Sequence, residues 1–253
     1  MKIFDNKDKK LLSLYFCAGC PTLQGTQEVI LTLQRRGISM IEVGIPFSDP
    51  LADGPVIQAA ATKALVNGMN LRLLFSQLRE IKGQVTIPLI LMGYLNVIMH
   101  YGFEAFFKSC VDSGVTGVII PDLPFDDYLR DIKPLAQQYG IKVIMMITPE
   151  TSDDRIRLID DNTEGFIYMV SSASVTGTQQ SFDDQKKAYF ERINGMNLKN
   201  PRMIGFGISN RQTLQMAQQN AAGAIIGSKF VTLLNESRDA DEALDKLFSA
   251  LEQ

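Results

Sequence analysis

Met40-Ile41-Glu42-Val43-Gly44-Ile45-Pro46-Phe47-Ser48-Asp49-Pro50-Leu51-Ala52-Asp53-Gly54-Pro55 holds a strand, a loop and a helix start in one stretch. The apolar run at 40–44 is too short for a stable helix and has the length of a buried strand. Pro46, Pro50 and the Gly54-Pro55 step then make a stiff, ordered loop. Pro55 suits a first helical turn, because its missing N–H would have no partner there. Working outward, similar apolar runs occur at 12–18, 88–93, 117–120, 142–147, 165–170, 202–205 and 222–226. Amphipathic stretches at 26–36, 102–113, 126–139, 153–160, 183–193, 212–220 and 242–251 read as helices between them, and 70–81 reads as an extra one. Gly37 and Gly140 each follow a helical stretch and precede a strand, as helix-ending glycines do. Strand and helix alternating eight times predicts an α/β fold, a closed (β/α)8 TIM barrel. A doubly wound open sheet is the main rival, and it would need fewer strands or a visible second domain. No linker, low-complexity tract or charge block interrupts residues 1–253, so a single domain with extra helices is expected.

The bulk numbers agree. A chain of 253 residues has the length of a full barrel. A net charge of −3 argues against nucleic acid as the main partner. It leaves room for one small phosphate, which a few backbone N–H groups can hold. The apolar runs are too short for a membrane span, so no membrane partner is expected. Cys17, Cys20 and Cys110 are an odd set, and no apolar leader opens the chain; a reducing cytoplasmic location is expected. Cys17-Ala18-Gly19-Cys20 has the spacing of a redox or half-zinc motif, but no second Cys pair exists and His100 is the only histidine, so no metal is expected.

In a barrel, chemistry is placed at the C-terminal ends of strands and in the loops after them. Polar residues at those points are therefore the candidates. Glu42 sits inside an apolar strand, where desolvation would raise its pKa toward neutrality and let it move protons. A structural ion pair is the alternative. Asp53 is either a second functional carboxylate or the N-cap of the helix starting near Pro55. Ser171-Ser172-Ala173-Ser174-Val175-Thr176-Gly177-Thr178, after the sixth strand, reads as a loop able to close on a ligand, or as plain surface. Gly205-Phe206-Gly207-Ile208-Ser209 and Gly227-Ser228 follow strands seven and eight, the usual phosphate site of this fold.

The stretch from Ile41 to Gln58 closely resembles the signature of the tryptophan synthase alpha subunit family. Ala18-Gly19-Cys20-Pro21, Leu91-Met92-Gly93-Tyr94-Leu95-Asn96, Pro121-Asp122-Leu123-Pro124, Ser174-Val175-Thr176-Gly177, Gly205-Phe206-Gly207-Ile208 and Gly223-Ala224-Ile225-Ile226-Gly227-Ser228 resemble it in the same order. The resemblance implies retro-aldol cleavage of indole-3-glycerol phosphate to indole and glyceraldehyde 3-phosphate. It implies Glu42 as general acid and base, and Asp53 as the anion opposite the indole N–H. Tyr15, Met92, Ile119 and Phe206 resemble the lining of the indole slot, Tyr168 a residue near Glu42 and substrate, and Thr176 the closing loop's contact to Asp53. Gly177, Gly207, Gly227 and Ser228 resemble the phosphate cradle. The resemblance further implies a beta-subunit partner in an alpha2-beta2 heterotetramer, which carries pyridoxal phosphate and receives indole by channelling. Residues 50–54 and 96–101 would face that partner, and no cofactor is expected in this chain.

Two departures stand out. Cys20 occupies a position that is often Asp in the family, and a thiol cannot replace a carboxylate as an acceptor. Ser172-Ala173-Ser174 replaces a loop that often contains Arg and Gly. Two other readings are separable. An indole-glycerol-phosphate synthase would be expected to use a catalytic Lys at a strand end, and Lys142 opens its strand on the wrong face. A subunit that only binds and gates its partner would be expected to lack Glu42 or Asp53.

Overall fold

The computed structural model describes residues 2–5, 10–170, 179–205 and 207–252. Eight parallel strands close into a barrel in the order β1-β2-β3-β4-β5-β6-β7-β8. They are β1 Leu11–Cys17, β2 Met40–Gly44, β3 Leu89–Met92, β4 Gly117–Ile119, β5 Lys142–Ile147, β6 Ile167–Val170, β7 Arg202–Gly205 and β8 Gly223–Ile226. Closure comes from β1 pairing β8, with Leu11 opposite Gly223. The open-sheet alternative is thereby excluded. Every strand predicted from the apolar runs is present, with ends shifted by a residue or two.

The helices are α1 Thr26–Arg35, α2 Pro55–Val66, α3 Leu71–Ile81, α4 Leu95–Tyr101, α5 Phe103–Asp112, α6 Phe125–Asp127, α7 Lys133–Tyr139, α8 Asp153–Asn162, α9 Gln179–Gly195, α10 Arg211–Asn220, α11 Ser228–Glu236 and α12 Ala240–Glu252. The predicted helix at 126–139 is α6 and α7 joined by one π-helical stretch, Tyr128–Ile132. The extra helix predicted at 70–81 is α3, capped by Asn70, whose side chain accepts from the Leu73 N–H. Helices α4 and α11 are additional to the predicted set. Gly37 and Gly140 adopt φ of 82° and 68°, the left-handed turn that lets the chain leave a helix and enter the next strand.

Alternation along each strand builds two cores. On β1, Leu14 and Phe16 face the opposite way from Ser13 and Tyr15. Phe16 belongs to one apolar cluster with Ile30 and Leu33 of α1, and with Leu74 and Leu78 of α3. The other face fills the barrel interior, where an added Cβ at Gly117 would meet Ile90 and Ile144. Lys142 and Glu164 form an ion pair at the start of β5, away from the strand ends that carry the cavity.

Candidate active site

Glu42 is fully buried at the centre of β2, beside Tyr15 of β1 in register. The strand is there because Met40, Ile41 and Val43 are all buried. Glu42 is the polar exception, and it points into a cavity of about 170 Å³. Ser13 donates a hydrogen bond to Glu42 Oε1 at 3.0 Å. Glu42 Oε2 is buried and has no hydrogen-bond partner among the described residues. Burial pushes the carboxyl up to about 8, and the Ser13 hydroxyl offsets only part of that. Among the described residues no cation pairs with Glu42, so the structural ion-pair reading finds no support there.

Asp53 reaches the same cavity from the loop after β2. Tyr94 donates to Asp53 Oδ2 at 2.9 Å, and the same Tyr94 hydroxyl accepts from the Ala52 N–H at 3.0 Å. The N-cap of α2 is Gly54, with no side-chain cap. Asp53 is thus not the cap that its position before Gly54-Pro55 allowed. Asp53 Oδ1, like Glu42 Oε2, is buried without a partner among the described residues. Burial raises the Asp53 pKa, and the Tyr94 hydroxyl opposes that rise. Two carboxylates, each with one oxygen held and one left over, face one cavity. Buried polar atoms without partners are uncommon, and a ligand that completes them is the physical reason to keep them.

Tyr15 and Tyr168 wall the cavity from β1 and β6, with Met92 from β3. Each tyrosine needs a glycine next door. A Cβ on Gly44 would lie 2.0 Å from the Tyr15 hydroxyl, and one on Gly205 would lie 2.2 Å from that of Tyr168. Burial raises both phenols well above their ordinary pKa, with further pushes from neighbouring acids, so they remain neutral. Ile119 is fully buried on β4 opposite Met92, and is not among the cavity-lining residues. The family resemblance put it in the slot, whereas Met92, its partner in register, is the one that lines the cavity. Phe206, Thr176 and Gly177 lie outside the described residues.

The far end of the cavity is made by Gly207, Gly227 and Ser228, joined by Ser209 and Lys229. Gly207 has φ of 72°, open to glycine and costly for other residues. Ser228 begins α11, and Gly227 ahead of it supplies no side-chain cap. The first N–H groups of α11 are therefore left for an anion, with the helix dipole behind them and Lys229 also lining the cavity. The neighbouring α10 differs, because Asn210 and Thr213 cap its N-terminus reciprocally.

Several lining or supporting residues escaped sequence reasoning: Ser13, Ile57, Tyr94, Ile225 and Lys229. Ser13 had a usable signal, since it is a hydroxyl two positions before Tyr15 in an otherwise apolar strand. Cys20 donates to Asn235 Oδ1 at 3.5 Å, and Lys63 donates to the same oxygen at 3.2 Å. The Cys17–Cys20 segment is thus packed into β1 and its turn. Among the described residues, no group of three or more His, Cys, Asp or Glu side chains is placed to hold a metal ion. No helix among them is long and apolar enough to cross a membrane.

The family model described as tryptophan synthase alpha chain matches residues 1–253. The tryptophan synthase alpha chain of Phocaeicola vulgatus is 62% identical over 251 residues, covering 99% of this chain and 97% of its own length. That of Flavobacterium johnsoniae is 54% identical over 91% of each chain. Among solved structures, the alpha chain of Legionella pneumophila superposes with a TM-score of 0.86 at 31% identity, covering 98% of this chain and 92% of its own. The A-subunit of Pyrococcus furiosus gives 0.84 at 34% identity, covering 96% and 97%. With the family model matched from end to end and the barrel geometry shared, this chain belongs to the tryptophan synthase alpha chain family.

Proposed function

We propose that Glu42 and Asp53 carry out the cleavage that defines this family, the splitting of indole-3-glycerol phosphate into indole and glyceraldehyde 3-phosphate. The observation that carries the assignment is the pair of buried carboxyl groups at a shared cavity, each with one oxygen that has no partner among the described residues.

The chemistry needs a proton delivered and a proton removed. Glu42, held protonated near neutral pH by burial, gives its proton to indole C3. The ring loses aromaticity and its nitrogen becomes positive. The Asp53 carboxylate, steadied by Tyr94, faces that charge. Glu42, now a carboxylate, takes the proton of the side-chain hydroxyl next to the ring. The oxygen's electron pair forms the aldehyde, the carbon–carbon bond breaks, and its electrons restore the aromatic indole. Glu42 ends protonated, as it began. The phosphate sits at Gly207, Gly227, Ser228 and Lys229; the family resemblance adds Gly177 to that cradle and assigns Thr176 and Phe206 to the substrate. Tyr15, Met92 and Tyr168 shape the indole end, and Ile119 pairs with Met92 beside it.

On this reading the chain is a carbon–carbon lyase that works by acid–base chemistry alone, as one barrel domain over residues 1–253, and needs no cofactor of its own. It acts in the cytoplasm, within an alpha2-beta2 heterotetramer whose beta subunit holds pyridoxal phosphate and takes up the indole. Leu51, at 90% exposed, and Met99, at 57%, put apolar surface on the two segments assigned to that partner.

The test is indole release from indole-3-glycerol phosphate by the purified chain, with and without a beta subunit. Glu42→Gln should lower it by about 10²–10⁴, the usual cost of a lost acid–base group, while leaving the fold intact. Near-normal turnover by that variant would refute the assignment.

A further inference from the structure

Ser13 is the only side chain hydrogen-bonded to Glu42 among the described residues. It comes from a different strand and is fully buried. It does not line the cavity, so it has no route to the substrate. A hydroxyl on the inner face of an apolar barrel strand costs free energy unless it is bonded. Its single bond goes to one oxygen of the carboxyl that the proposed mechanism uses.

The direction of that bond has a consequence. Ser13 Oγ lies 3.0 Å from Glu42 Oε1 and has no other partner among the described residues, so its buried O–H is spent on that oxygen, which then acts as an acceptor. A carboxylic acid carries its proton on one oxygen only. With Oε1 accepting, the proton resides on Oε2, the oxygen left without a partner. We infer that Ser13 is a positioning residue that fixes which oxygen of Glu42 carries the transferable proton, and that steadies the carboxylate once the proton has gone. The inference rests on Glu42 being the acid–base group, and it adds how that group is oriented.

The other groups around Glu42 cannot do this. Tyr15 lies beside it on β1, Tyr168 faces it from β6 and Asp53 from the loop after β2, with Lys229 at the far end of the same cavity. The Tyr15 and Tyr168 hydroxyls extend over Gly44 and Gly205. Asp53 is engaged by Tyr94. β3 presents Ile90 opposite Glu42, an apolar neighbour.

The experiment measures the pH dependence of kcat and KM for indole formation in the full chain with its beta subunit, for the wild type, Ser13→Ala, Ser13→Thr and Glu42→Gln. A hydrogen bond to the charged form favours that form, so its loss raises the Glu42 pKa. In Ser13→Ala the limb on which activity falls with rising pH should move up by about one pH unit, with kcat about tenfold lower and KM unchanged. Ser13→Thr keeps the hydroxyl and should restore the limb. Ser13→Cys, close in shape with a weaker donor, gives the same shift in smaller measure should Ala disturb folding. An unmoved limb and normal kcat in Ser13→Ala, with or without a lower Tm, would overturn the inference and leave Ser13 a packing residue. Normal activity in Glu42→Gln would instead remove the reading beneath it, whatever Ser13 does.

Discussion

Glu42 links stability to chemistry in a single side chain. Its folded pKa of about 8 lies above the ordinary 4.5. Below pH 4.5 both folded and unfolded chains hold this proton. As pH rises, the unfolded chain releases it first, so stability falls from about pH 4.5 to 8 and then levels off. At pH 7 the burial of this acid costs about 3 kcal/mol. Glu42→Gln should therefore raise Tm at pH 7 by roughly 5–10 °C and lose most of that advantage near pH 4; thermal melts across pH would show it. Asp53→Asn should behave differently. Because α2 is capped by Gly54, the change removes no cap. Because the Tyr94 hydroxyl opposes the rise in the Asp53 pKa, it should raise Tm at pH 7 by less than Glu42→Gln does, while indole formation collapses. A variant that is unstable but active would restore the capping role. At this scale the sequence was informative where chemistry contradicts burial. An acid within Met40-Ile41-Glu42-Val43-Gly44 stands out in any reading. Tyr94 does not, because its bond to Asp53 spans 41 positions and exists only once two loops meet.

Among the elements, the two helices that follow β7 and β8 differ in how their N-termini are satisfied, and the proposed phosphate site rests on that difference. Both begin at a strand end. α10 satisfies its own N-terminus with the Asn210–Thr213 box, whereas α11 begins from Gly227 with its first N–H groups uncapped. A phosphate therefore favours α11, and Lys229 adds a full charge there. Lys229→Met should raise KM for the phosphorylated substrate by about tenfold with kcat unchanged, and weaken the salt dependence of KM. Steady-state kinetics at two ionic strengths would test this. Apolar runs and glycines located all eight strands. Helix α4 passed unread because Leu95–Tyr101 is under two turns and gives no clear period before Gly102 breaks it. Ile119 was placed in the slot by the family resemblance; in the barrel it pairs with Met92, and of the two Met92 lines the cavity.

For the whole molecule, barrel closure does the electrostatic work. β1 meeting β8 closes the barrel around Glu42, which is fully buried and borders the cavity that Asp53, Tyr168 and the start of α11 also line. No single neighbour sets the proton affinity of Glu42, because burial is its leading cause. The account therefore stands on a protonated Glu42 in the folded barrel at neutral pH. Infrared difference spectroscopy between the wild-type chain and Glu42→Gln reads that proton through the carbonyl stretch of the acid. The predicted result is a protonated-carboxyl band present at pH 7 and titrating away with a midpoint near 8. A band already lost by about pH 5.5, close to an ordinary carboxylate, would contradict it.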